Sequence, residues 1–507
     1  MSHGSLMRTK SIEQSLRDTE DPEHKLKKDL GALDLMVFGI GVIIGAGIFI
    51  LTGQAAARYA GPSVALAFVL AAIACGLAGL CYAEFASTVP VAGSAYTFSY
   101  ATFGELIAWT IGWDLILEFT LGGAALASGF SSYLGNLLHG TPFALPAQLS
   151  SASTGVVDLP AIVLTLLVAG VLILGIKLSS RINQIVVAIK LVVIAIVIVA
   201  GIGYIHVGNW SPFFPPSKPP GGTTGASFYN TSLFQSLFGI HPSVYGYAGV
   251  ASAAAVIFFA FIGFDVVATT AEECRNPQRD VPIGILGSLA ICTVLYVAVC
   301  FIITGIQSYT KINPEDGAPL ATAFKVVGAP WVGHVVSVGA CIGLTVVCMI
   351  LMLGQTRVGF AMARDGLLPR WLARVHPKYG TPYRITLITA AAVAVIAGFV
   401  DLTTLANLVN IGTLFAFVLV SIGVWLLRRS RPDLPRAFRV RALPVVSILA
   451  AGSCFYIMLN LIGETWIRFV VWMALGFIVY FTYSRRHSRL GLETERDAEP
   501  ESMAAAK

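Results

Sequence analysis

Apolar residues in this chain come in long unbroken runs separated by short polar stretches, with neither the spacing of a soluble helix nor the alternation of a strand. Runs of the length that crosses a bilayer, about 20 residues, fall at 34–57, 63–86, 104–136, 160–176, 182–207, 247–273, 282–306, 329–356, 382–399, 402–427, 443–463 and 465–484. The pattern predicts an all-α integral membrane protein with twelve spans. Only Gly463 and Glu464 divide the last two. Residues 1–29 read as a polar leader without the apolar core of a signal peptide, 208–246 as an irregular extracellular loop rich in Pro, Gly and Ser, and 488–507 as a solvated tail.

Two runs carry signs of interruption. The first holds Gly39, Gly41, Gly45 and Gly47 within nine residues, in the stretch Gly39-Ile-Gly-Val-Ile-Ile-Gly-Ala-Gly-Ile-Phe49. A break in a membrane helix frees backbone N–H and C=O groups that lipid cannot satisfy, so it is expected only where it is buried or lines a polar cavity, as at a transporter's substrate site. The plainer reading is close helix packing through small residues. The sixth run holds Phe258-Phe-Ala-Phe-Ile-Gly-Phe-Asp265, with Asp265 placed to cap a restarting half-helix. Breaks five spans apart fit two inverted five-helix repeats, 30–207 and 247–427, with 428–487 supplying a peripheral pair.

Composition agrees: 56% of the 507 residues are hydrophobic and 12% charged, with a mean hydropathy of +0.78. The formal charge of +6 does not mark a nucleic-acid partner, because 27 of the 33 Lys and Arg residues fall in segments on the side of the leader. That bias predicts a multi-pass protein of the cell membrane with both termini cytoplasmic. The eight cysteines show no paired spacing, so no disulfide or metal site is expected. HExxH, GxSxG and P-loop motifs are absent, which argues against an enzyme.

At residue level the chain resembles the amino acid–polyamine–organocation superfamily, and within it the cationic amino acid transporter branch in its bacterial form. The resemblance rests on Gly39–Phe49, on Tyr82-Ala-Glu-Phe-Ala-Ser-Thr-Val-Pro-Val-Ala-Gly-Ser-Ala-Tyr96, on Gly112-Trp-Asp-Leu-Ile-Leu-Glu118, on Glu272-Glu-Cys-Arg-Asn-Pro-Gln-Arg-Asp-Val-Pro282, and on Gly354–Pro369. It implies a LeuT-type fold with broken first and sixth helices plus two peripheral helices. It also implies an L-amino acid carrier working by alternating access, without a cofactor and with a proton gradient as energy source. Oligomeric state and a small membrane subunit are not legible in the sequence, whereas contact with lipid is.

The resemblance places the substrate carboxylate at the amides of Ala46 and Gly47, and the ammonium at the carbonyls of Ile43, Phe259 and Ile262. Helix N-termini suit an anion, and the free carbonyls of C-termini suit a cation. It also maps Leu351 of the eighth span onto the side-chain pocket, where an apolar residue favours small to medium neutral amino acids over cationic ones. Glu118, deep in the third span, is either a partner for a cationic substrate side chain or a structural hydrogen-bonding group. Glu272, Glu273, Arg275, Arg279, Arg357, Arg364 and Asp365 are either an inner gate or plain cytoplasmic anchors. Lys190, about eight residues or roughly 12 Å into the fifth span, is either a snorkelling anchor or, as the resemblance implies, the proton-coupling residue that holds the broken first helix.

Overall fold

A computed structural model describes residues 30–492 except 89–93, 151–154, 176–179, 220–227, 230, 240–242, 270–273, 435 and 437. The first helix, α1 (Ala32–Ile43), starts at Gly31, whose N–H donates to the Asp34 carboxylate at 3.0 Å. It stops at Ile44, which is extended (φ −71°, ψ 91°). The chain resumes as a π-helical turn at Gly47–Leu51, an α-turn at Thr52–Ala55 and a second π-helical turn at Ala56–Ala60.

Then follow α2 (Val64–Thr88), α3 (Ser94–Thr102), α4 (Glu105–Leu138), α5 (Leu159–Ile173), α6 (Ser180–Ile202) and the short α7 (Leu233–Phe238). The sixth apolar run is α8 (Gly246–Ile257), a 3₁₀ turn at Phe258–Phe261, and α9 (Phe264–Thr269). Next come α10 (Pro277–Ile306), α11 (Pro319–Val326), α12 (Pro330–Arg364), α13 (Tyr383–Phe399), α14 (Leu402–Ser430), α15 (Leu443–Leu459) and α16 (Gly463–Val479). Side-chain caps fix several starts. Asp158 accepts from Ala161 N–H at 3.1 Å, and Asp401 accepts from Thr404 N–H at 3.0 Å. Proline opens α10, α11 and α12, where its missing N–H costs nothing.

Among the described residues there are eight helical stretches long and apolar enough to cross a membrane, together with four shorter apolar helices. Apolar side chains face outward along them, Leu167, Val199 and Ile478 being 59–73% exposed, as lipid contact requires. The 208–246 segment is less irregular than expected: α7 stands in it, and Leu233 N–H bonds to Leu461 C=O at 2.9 Å.

The helices sort into two packed groups. In one, α1 and α2 each pack along α10, with α8 on α2 and α9 on α10; in the other, α4 packs along α12, and α5 along α13 and α4. α6 touches both through α1, α10 and α12. α15 lies on α14 and α2. α16 is fastened to α4 by a reciprocal pair: Trp113 indole N–H donates to Trp472 C=O at 3.0 Å, and Trp472 N–H returns to Trp113 C=O at 3.3 Å, with rings stacked 4.5 Å apart.

At the end of the molecule where α2, α12 and α14 finish, buried carboxylates tie loops together. Glu84 is held by Arg428, with one oxygen 2.9 Å from Nε, and also accepts from Val440 N–H at 2.8 Å. Glu105 accepts from the hydroxyls of Tyr100 (3.3 Å), Tyr480 (3.2 Å) and Ser488 (2.5 Å). Beside it, Ser484 donates to Leu367 C=O at 2.6 Å and Arg489 N–H to Asp365 C=O at 3.0 Å, so the segment after α16 is docked onto the end of α12.

Candidate functional site

The two interruptions lie where the glycines place them, and they touch. At Gly263 the chain adopts φ +111°, a value that glycine alone reaches without strain, and a Cβ there would lie 2.4 Å from Val42 Cγ1. A Cβ on Gly47 would lie 2.2 Å from Ala260 Cβ, so the first break approaches the second backbone to side chain. Ile43, Ala46 and Gly47 lie at the first break and Phe259 and Ile262 at the second, and all are buried.

Side chains from other helices serve the carbonyls that the breaks free. Lys190 Nζ, wholly buried, donates to Gly41 C=O at 2.7 Å and Ile44 C=O at 2.8 Å. Asn410 Nδ2 donates to Ala255 and Val256 C=O, both at 2.8 Å. Tyr133 hydroxyl donates to Phe49 C=O in the π-helical turn at 2.6 Å. Tyr296 hydroxyl lies 2.7 Å from Ile43 C=O and 2.7 Å from Ala260 C=O. Phe259 C=O accepts a long turn bond from Ile262 N–H at 3.3 Å, which leaves a lone pair for a second donor. At the other pole the chain restarts at Ala46, and the first N–H groups of a helix have no partner within it. Positive and negative poles of backbone thus lie within a few residues, matching the two ends of a zwitterion.

The wall beside the first break is apolar. A Cβ on Gly45 would meet Leu126 Cδ2 at 3.3 Å and Val347 Cγ1 at 3.8 Å. Leu351 stands one turn along α12 and packs on Gly122 of α4, its Cδ1 2.9 Å from where a Cβ would be. Leu126 and Val347 thus stand beside Gly45, with Leu351 one turn further along α12. Leu126 and Val347 did not stand out in the sequence, because an apolar residue in an apolar run carries no mark of its neighbours.

Glu118 lies on the same face of α4 as Gly122 and Leu126, two turns or about 12 Å along the helix from Leu126, which meets Gly45. Asp265 and Asp114 are its acidic neighbours. All three are buried, and Asp114 Oδ1 and Oδ2, Glu118 Oε1 and Asp265 Oδ1 have no hydrogen-bond partner among the described residues.

Of the expected inner gate, Glu272 and Glu273 lie outside the described residues. Asp365 Oδ2 accepts from Tyr96 hydroxyl at 2.8 Å. Arg275 and Arg279 line a hollow of about 860 Å³ with Pro282, Leu286 and Phe438. At the opposite end a polar hollow of about 470 Å³ is lined by Gln54, Ser131, Asn136, Asp316, Lys325 and Asp401. It is bounded by Gln54 donating to Asp316 C=O at 2.9 Å and by the Arg58–Glu315 pair. The broken junction lies in neither hollow.

Comparison with known proteins gives this geometry a context. The family model described as amino acid permease matches residues 30–482. The chain is 44% identical over 490 residues to the methylthioribose transporter of Bacillus subtilis (strain 168), covering 96% of this chain and 99% of that one. It is 45% identical over 493 residues to the branched-chain amino acid permease BcaP of the same organism, with the same coverage. To the vacuolar cationic amino acid transporter 4 of Arabidopsis thaliana it is 37% identical over 433 residues, 85% of this chain and 68% of the plant protein. With a family model spanning nearly its whole length and relatives that are themselves transporters, this chain belongs to the amino acid permease family.

Proposed function

We propose that the chain is a secondary transporter that imports small to medium neutral L-amino acids by proton symport with alternating access. In this reading it is a cell-membrane protein of twelve spans, with both termini cytoplasmic and a LeuT-type arrangement of two inverted five-helix repeats. The observation that carries the reading is the junction of the two breaks, where Ile43 and Ala260 present carbonyls beside the helix start at Ala46 and Gly47, against the apolar wall of Leu126 and Val347. A backbone site of this kind recognises the ammonium and carboxylate that all amino acids share, and the wall selects the side chain. The name of one relative, a branched-chain amino acid permease, points the same way.

Coupling falls to Lys190. A buried lysine without a carboxylate partner is costly to keep charged, yet its ammonium is the donor that holds the carbonyls of Gly41 and Ile44. Loss of its proton weakens both bonds and frees α1 from α6, and reprotonation restores them. Proton movement is thereby tied to the position of the first break.

The test is uptake of L-leucine into proteoliposomes under an inward proton gradient. Competition by L-valine, L-lysine, L-arginine and methylthioribose tests the neutral, cationic and thioether-sugar alternatives that the relatives' names raise. Leucine uptake is expected to collapse with an uncoupler, to need no sodium, and to lose its gradient dependence in Lys190→Ala. A sodium requirement, undiminished gradient-driven uptake in Lys190→Ala, or preference for arginine refutes the reading. Counterflow of labelled for unlabelled leucine separates a carrier from a receptor or channel, because only a carrier exchanges across a sealed membrane.

A further inference from the structure

Tyr296 is wholly buried in α10, and the coupling mechanism above makes no use of it. Its hydroxyl lies at 2.7 Å from the carbonyl oxygen of Ile43, the last residue of α1, and at 2.7 Å from that of Ala260, in the turn that follows α8. A tyrosine hydroxyl has one proton. Between them the two carbonyls therefore receive one hydrogen, and one acceptor is always short.

The ring that carries this hydroxyl is tightly placed. Phe68 of α2 meets it edge-on at 5.4 Å and Phe261 at 5.2 Å, and those two rings are 6.2 Å from each other, also edge-on. Every element in this arrangement (α1, α2, the second break and α10) belongs to one of the two packed groups. Lys190 and Tyr133 differ, because they reach the first break from α6 and α4, outside that group.

We infer that Tyr296 is a positioning residue for the substrate ammonium: it staples the two breaks at a fixed spacing and presents the Ile43 and Ala260 carbonyls as a preformed pair lacking one donor. The arriving ammonium supplies that donor, taking the carbonyl that the tyrosine proton leaves. This inference rests on the proposed docking of the ammonium at Ile43.

The experiment is L-leucine counterflow in proteoliposomes with Tyr296→Phe, which keeps the ring and deletes the hydroxyl. The expected result is a KM raised about tenfold with a saturating exchange rate within about twofold of the parent, the signature of lost binding geometry. Competition by isocaproate, which is leucine without its amine, should be unchanged, since it places nothing on these carbonyls. General damage to the site would instead weaken leucine and isocaproate alike. Phe68→Leu, which keeps the hydroxyl but removes one supporting ring, should raise the KM in the same direction, and it serves as the test if Tyr296→Phe does not reach the membrane. An unchanged leucine KM in the variant tested, or parallel losses for leucine and isocaproate, overturns the inference. Equal binding of leucine and isocaproate by the parent protein shows instead that the docking of the ammonium is wrong.

Discussion

Replacing Gly343 by alanine tests how closely Lys190 is held. A Cβ at Gly343 of α12 would lie 2.7 Å from Lys190 Cε, 3.4 Å from Cγ and 3.5 Å from Cδ. Carbon atoms at rest sit about 3.5–4.0 Å apart, so the lysine stem would have to move by roughly 1 Å. The stem has no slack, because Nζ is fixed by Gly41 C=O at 2.7 Å and Ile44 C=O at 2.8 Å. Moving it forfeits at least one hydrogen bond from a charged group, about 1.5–3 kcal/mol; strain from overpacking alone is about 1–3 kcal/mol. Gly343→Ala is therefore expected to destabilise the protein by about 2 kcal/mol, on the scale of those two costs, and to slow gradient-driven uptake. The measurement is reversible unfolding in detergent, run as a double-mutant cycle with Lys190→Ala. In the Lys190→Ala background the added methyl meets an empty space, and its cost should fall to within about 0.5 kcal/mol of zero. An equal penalty in both backgrounds would refute contact with Lys190 as its origin.

The other expectations follow from equally local contacts. Gly47→Ala sets a methyl 2.2 Å from Ala260 Cβ and 2.4 Å from its Cα, with no flexible atom to give way, so leucine counterflow should be abolished; retained exchange would show that the breaks can separate freely. Glu84→Ala leaves Arg428 without its carboxylate and Val440 N–H without an acceptor. It should cost about 3 kcal/mol or more in the same unfolding assay, whereas a loss below about 1 kcal/mol would mark the pair as an ordinary surface contact. Val347→Gly should shift competition toward bulkier side chains more strongly than Leu351→Ser, because Val347 is the residue beside Gly45. The reverse order would make Leu351 the stronger selector of side chains.

Much of the architecture was legible because membrane burial writes itself into runs of apolar residues. The helices Tyr383–Phe399 and Leu402–Ser430 begin within a residue of the runs at 382–399 and 402–427, and α15 and α16 separate close to Gly463 and Glu464. Both interruptions were legible for a related reason, since Gly47 sits where a side chain would collide and Gly263 where φ is positive. Lys190 stood out because a lysine deep in an apolar run demands acceptors, and the carbonyls at Gly41 and Ile44 are such acceptors. Tyr296, Asn410 and Tyr133 did not stand out. A hydroxyl or amide in a span is common, and its partners here lie 36 to 253 residues away, so only the packed arrangement reveals them. The same limit applied to Glu84, whose partners are Arg428 of α14 and Val440, and to Glu105, two of whose partners lie in the segment beyond α16.

That last segment has a practical consequence for handling the protein. Reporter fusions and trimmed versions are commonly cut just after the final hydrophobic helix, which here would remove Ser484, Ser488 and Arg489. Glu105 would keep Tyr100 and Tyr480 but lose its shortest partner, and Leu367 and Asp365 would each lose a donor. A cut there unfastens the ends of α4 and α12 and mimics a lesion in the transport pathway although no pathway residue has changed. Fusions joined beyond residue 492 leave these bonds in place.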